Sequence, residues 1–237
     1  METIFIFSLV AILVAIAFYS LYGMAKLNIK EKRTDISMDN ILEPHKITIP
    51  EGLGELGEYW CFEHLKNELP NNGKYTIRHD ITLGNEKRST QIDFLVISVY
   101  GVFIIEVKNW MGKIYGNETD KTWTVYFHGR KKSYHNPTRQ NQSHENALQY
   151  LLSNFKKPFP TRTVTVFPNT TDISQVKCPH EVVLHIDELA PYIKKFKTPI
   201  LDDALFKATI KKIESNNRKD LKEQHIRYVK RVQRYNA

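Results

Sequence analysis

A chain of 237 residues accommodates one well-buried domain with an anchor and a tail and is short for two full-sized catalytic domains, so a single active site is expected. Its composition is that of an ordinary globular protein; only the net charge of +8 stands out. Two cysteines, Cys61 and Cys178, exclude a disulfide framework and a paired-cysteine zinc site, and fit a reducing compartment.

From Thr3 to Tyr22 the chain carries no charge, Pro or Gly. At about 1.5 Å per residue such a helix spans the roughly 30 Å hydrocarbon core of a bilayer. A transmembrane anchor is expected within residues 1–24. Lys26, Lys30, Lys32 and Arg33 follow the apolar stretch and only Glu2 precedes it, which places the C-terminal part in the cytoplasm. The polar stretch that follows, residues 25–50, reads as a linker ending in Pro50.

Between Leu56 and Leu69 apolar residues recur at helical spacing, closed by Pro70. Three strand-like runs follow, Tyr75 to Ile81, Gln91 to Ser98 and Val102 to Val107, the last two joined by Val99-Tyr100-Gly101 as a hairpin. A further strand is expected over Trp123 to Phe127, with a turn at His128-Gly129-Arg130, then a helix from Pro137 to about Phe155. Thr163 to Phe167 and Glu181 to Ile186 read as two more strands of the same sheet, before Asp187 caps a short helix. Residues 191–237 form a basic helical tail. From Leu205 on it holds ten Lys or Arg against three Asp or Glu, and Leu221, His225, Tyr228, Val232 and Tyr235 make an apolar stripe.

The chemistry sits on the hairpin. With its pivot near Val99 and Tyr100, Asp93 comes opposite Glu106, within about 5 Å across the strands. Alternation along the strand points Glu106 and Lys108 the same way. Charges inside such apolar strands are costly to bury unless paired or bound to a metal. Two hard carboxylates suit Mg²⁺ or Mn²⁺ and a phosphate substrate, with Lys108 orienting water or offsetting charge on phosphorus. The same three residues also fit a plain cross-strand salt bridge, and spacing leaves both readings open. The nine histidines show no ligand-pair spacing, and Trp110 and Trp123 read as packing residues.

Five stretches carry a resemblance: Gly54-Glu55-Leu56-Gly57-Glu58, Gln91-Ile92-Asp93, the run from Gly101 through Glu106-Val107-Lys108 to Trp110, Gly112 to Gly116, and Asn136-Pro137-Thr138-Arg139-Gln140. In order and spacing they resemble the nuclease-related domain (NERD) family of the PD-(D/E)xK nuclease-like superfamily. The resemblance covers about Leu53 to Leu152, and the later strands would complete a domain over residues 51–190. It implies an α/β fold with a mixed central sheet flanked by helices, restriction-endonuclease-like. It also implies the site residues Glu58, Asp93, Glu106, Lys108 and Gln140, with Asp93 and Glu106 as metal ligands. Gln91-Ile92 stands where superfamily nucleases often carry Pro before the Asp, and His144 stands where some relatives carry Tyr four residues after the Gln. The implied protein is a membrane-anchored, Mg²⁺-dependent nuclease acting on nucleic acid, DNA first. The alternative is a non-catalytic, membrane-tethered nucleic-acid-binding or scaffold module with the same fold.

Overall fold

The computed structural model describes residues 53–155, 158–223 and 226. The stretch expected to form the anchor lies outside them, as do the expected linker and most of the apolar stripe of the tail. Among the described residues no helix is long and apolar enough to cross a membrane.

Helix α1 (Leu53–Glu68) leads into β1 (Tyr75–Gly84), β2 (Ser89–Ser98) and β3 (Gly101–Val107). These three pair antiparallel, with β2 and β3 joined as the expected hairpin. β3 is buried along its whole length, as suits a nearly continuous apolar run covered on both faces. Its other edge pairs in parallel with β7 (Thr161–Phe167), and β7 pairs in parallel with β9 (Val182–His185). The result is a mixed five-stranded sheet in the order β1-β2-β3-β7-β9.

Helices cover both faces of this sheet. On one, Cys61 and Leu65 of α1 and Leu189 and Ile193 of α3 (Ile186–Lys194) pack on Phe94, Phe103, Ile105 and Val164. On the other, Leu148 and Leu152 of α2 (Pro137–Leu152) and Phe206 and Ile213 of α4 (Asp203–Ser215) pack on Leu95, Ile97 and Ile104. α4 lies in the stretch read from sequence as basic tail, and its apolar side is part of the core. Beyond it, a 3₁₀ turn (Lys219–Leu221) is held to β1 by the Arg218 N–H bond to Thr82 O (2.8 Å) and an ion pair between Lys222 and Asp80.

The expectation of one central sheet needs correction, because a second mixed sheet stands beside it. It runs in the order β6-β5-β4-β8, from β4 (Lys113–Asn117), β5 (Thr122–Phe127), β6 (Arg130–His135) and β8 (Asp172–Lys177). Of these only β5 was legible in sequence. Its inward side packs Ile114, Trp123 and Val125 on Phe167. Trp123 lies against Gly116, where an added Cβ would stand 2.3 Å from the indole. The expected cap at Asp187 also shifts. His185 precedes the helix, and its backbone N–H donates to Glu188 Oε2 at 2.8 Å.

Candidate active site

The hairpin register decides where the carboxylates stand. Phe94 pairs with Ile105, so one step further the strands bring Asp93 opposite Glu106, as the sequence predicts. The ladder ends there. The Val107 N–H donates to Asp93 Oδ2 at 2.8 Å, which fixes the Asp93 carboxylate at the C-terminal end of β3.

Glu106 is fully buried, and both its oxygens face cationic or donor groups. Oε1 forms an ion pair with Lys108 Nζ, and Oε2 lies 2.9 Å from His144 Nε2. Lys108 Nζ also donates to Gln140 Oε1 at 3.1 Å. Gln140 and His144 are four residues apart on α2, hence on one face of it, and that face lies over the end of β3. A carboxylate only accepts, so the His144 proton facing it sits on Nε2. In the neutral ring Nδ1 then accepts from the Thr90 hydroxyl, 2.6 Å away.

The start of α2 is tied down. Pro137 opens the helix, the Asn136 side chain accepts from Thr138 N–H at 2.9 Å, and its amide donates to the carbonyls of Glu118 (2.9 Å) and Asp120 (2.8 Å). Asparagine at the cap and proline at the first turn match the preferences of helix N-termini. The bonds reach into the loop between β4 and β5, so the second sheet sets the angle at which Gln140 and His144 meet the hairpin.

Electrostatics separate the two carboxyls. Burial raises Asp93 well above the usual carboxylate range, and the charges of Glu106 and Glu58 add to it against Lys108 and the Val107 amide. Burial pushes Glu106 the same way, but the Lys108 charge and the bond from His144 outweigh it and hold the group below its ordinary value. Burial would lower Lys108; Glu106 and Asp93 outweigh that and raise it. Lys108 is therefore a fixed cation and donor at neutral pH, unsuited to act as a base.

Glu58 comes from α1, and its charge is felt at both Asp93 and Lys108. It reaches them because Gly57 lets the helix press on the end of β3. A Cβ there would lie 2.9 Å from Asn109 Cβ and 3.4 Å from Val107 Cγ1. The structure thus gathers all five residues expected from sequence. It adds His144 and Thr90, which sequence reasoning left out. The available signal was the spacing of four between Gln140 and His144, which puts both side chains on one helical face.

Asp93 and Glu106 suit a hard divalent cation. Burial raises Asp93 first and the Glu106 charge adds to it; a bound cation would offset both. No group of three or more His, Cys, Asp or Glu able to hold a metal occurs among the described residues. Mg²⁺ commonly takes only one or two carboxylates, completing its shell with water and phosphate oxygens.

An acidic pair and a lysine two residues on, at the end of a central hairpin, define the PD-(D/E)xK-like nuclease class. More narrowly, residues 53–168 match the family described as the nuclease-related domain, NERD, which lies within that superfamily. The chain is also similar to an uncharacterized protein of Bacillus anthracis, 27% identical over 199 residues that cover 82% of this chain and 90% of that protein.

Proposed function

We propose that this protein is a metal-dependent nuclease that hydrolyses phosphodiester bonds, in DNA before RNA. The observation that carries the reading is the cluster of half-buried Asp93 and Lys108 around fully buried Glu106, closed by Gln140 and His144, in a nuclease-related domain. A structural ion pair between Glu106 and Lys108 alone has no need of a second, half-buried carboxyl beside it, raised by desolvation and by the Glu106 charge.

Asp93 and Glu106 would hold Mg²⁺ or Mn²⁺, which when bound supplies Lewis-acid polarisation of the phosphoryl group and acidifies water. Lys108, held as a cation, offsets the negative charge that grows on the phosphoryl oxygens and orients the attacking water. Gln140 fixes the ammonium through its 3.1 Å bond, and Glu58 adds to the local negative field.

The protein further acts from a membrane in this reading. The uncharged stretch Thr3–Tyr22 followed by four cationic residues supports one N-terminal helix across the bilayer, with the nuclease-related domain on the cytoplasmic side. Alkaline carbonate extraction tests this, and release of the protein into the soluble fraction would remove the anchor.

The activity is tested by incubating the full chain with labelled single- and double-stranded DNA and RNA, in Mg²⁺, Mn²⁺ or EDTA. Glu106→Gln, which retains a hydrogen-bonding carbonyl toward His144, is the control, with circular dichroism to verify folding. Metal-dependent cutting that the variant loses is the expected result. A folded protein that cuts nothing with either metal would sink the nuclease reading and leave the non-catalytic binding module in its place.

A further inference from the structure

The second sheet turns Ile114, Trp123 and Val125 inward and leaves its other face open among the described residues. On that face Tyr115 and Tyr126 are 41% and 44% exposed, with ring centroids 5.3 Å apart in an edge-to-face arrangement. Lys113 Nζ lies 5.8 Å from the Tyr115 ring and Lys131 Nζ 5.9 Å from the Tyr126 ring. The register explains the grouping. Lys131, Tyr126 and Lys113 form one cross-strand row, Ser133, Thr124 and Tyr115 the next, and Asn117 pairs with Lys177 beyond them. Asp172, 3.2 Å from Lys113, brings a negative charge to the first row.

Lysines on the open edge β6 have an ordinary purpose, since charge there blocks pairing with another chain. That purpose does not account for two aromatic rings on the solvent side of β4 and β5, the inner strands of the sheet. Flat exposed rings flanked by cations are what an unpaired nucleic-acid strand requires. Bases stack on the rings whatever their sequence, and ammonium groups follow the phosphates. A duplex keeps its base faces stacked on one another and offers the rings nothing. Thr124, Ser133 and Gln175 lie between and beside the rings, and their hydroxyls and amide suit a hydrogen-bonding polymer better than acyl chains.

We propose that this face is a docking platform for single-stranded nucleic acid, which it feeds to the candidate active site; the delivery step rests on the nuclease reading above. The chain path supports the coupling. Lys113, the first residue of β4, follows Lys108 by five residues, a span of at most about 18 Å. At the other side β6 ends at His135, directly before Asn136 and the helix that carries Gln140 and His144. The platform is strung between the two halves of the site.

The test is fluorescence anisotropy on the full chain in mild detergent with EDTA, which prevents cutting. The probes are a labelled oligothymidylate of roughly 15 nucleotides, near the upper site size of one small binding domain, and a hairpin duplex of equal charge. The double variant Tyr115→Ala, Tyr126→Ala should bind the single strand about tenfold more weakly and the duplex as before. Independently, Lys131→Glu and Lys177→Glu should each lower the salt-dependence slope for the single strand by roughly 0.7. Unchanged single-strand affinity in the tyrosine variant overturns the platform, and so does an equal loss on the duplex. A third outcome also overturns it: wild-type protein that ignores the oligonucleotide but needs the two rings to bind phosphatidylserine vesicles, which marks a lipid contact. The two readings fail separately. Protein that cuts nothing with any metal yet loses the oligonucleotide with its tyrosines keeps the platform and loses the nuclease. Protein that cuts, with tyrosine variants that bind normally, does the reverse.

Discussion

A carboxylate as deeply buried as Glu106 is tolerated because Lys108 and His144 answer its two oxygens, while Asp93 beside it has only one backbone amide. Asp93 therefore works against the fold. Its raised pKa means that, between the ordinary carboxylate value and the raised one, the folded chain holds a proton the unfolded chain has lost, so stability falls as pH rises through that window. Asp93→Asn should raise the melting temperature at neutral pH and abolish cleavage. The thermal gain should fade as pH drops toward about 4, the ordinary aspartate value, below which the group is protonated in either state. A melting series across pH checks both the sign and the window. His144 acts in the opposite sense. His144→Ala leaves Glu106 Oε2 and the Thr90 hydroxyl without their partner and should cost about 1–3 kcal/mol in urea unfolding, the penalty for an unsatisfied buried group. His144→Gln, which can donate toward Glu106, should recover part of it. At this scale the sequence was most informative where the side chains are strand-borne, because alternation and a tight turn place Asp93, Glu106 and Lys108 with little freedom. His144 was harder to find. Its role depends on which way α2 faces, and only tertiary packing decides that.

At the scale of elements, two helices approach the hairpin end and each is positioned by a specific local device. For α1 it is Gly57. Alanine is the better helix former by about 1 kcal/mol, so Gly57→Ala in an isolated helix would stabilise. Here the new methyl must move Asn109 or the helix itself, and the displacement carries Glu58 away from Asp93 and Lys108. We expect weaker Mn²⁺ binding by calorimetry and a lower melting temperature, and a stabilised variant with unchanged Mn²⁺ affinity would refute this role. For α2 the device is the Asn136 cap on the β4–β5 loop. The strands that sequence reading missed are informative as a set. β6 is almost wholly exposed and reads Arg-Lys-Lys-Ser-Tyr-His, β8 is largely polar, and β4 contains a glycine required by Trp123. Each lacks the apolar alternation by which strands are recognised, since one side of the second sheet faces water and its inward side is small. β3, β7 and β9 of the main sheet were plain for the opposite reason.

At the scale of the molecule, the main sheet is covered by helices on both faces, and α4, late in the chain, matters as much as α1. Phe206, Thr209 and Ile213 of α4 are buried, although their stretch reads as the start of a basic tail. Deleting everything from Asp202 onward should abolish the cooperative melt, because each large apolar side chain lost is worth about 2 kcal/mol against a total stability of roughly 5–15 kcal/mol. Deletion from residue 227 onward spares α4, so that shorter deletion is the fair test of whether the tail contributes to DNA affinity through its salt dependence. The parallel pairing of β3 with β7 also gives the site a birth order. β1, β2 and β3 are contiguous and can zip together as they emerge from the ribosome, with the Glu-Val-Lys motif already in place. Gln140 and His144 dock only once α2 has been made, and β7, the partner of β3, leaves the exit tunnel later still. The half-synthesised chain therefore carries the Glu-Val-Lys motif before Gln140, His144 and β7 exist to close around it, and the hydrolysis proposed above would have to wait for them.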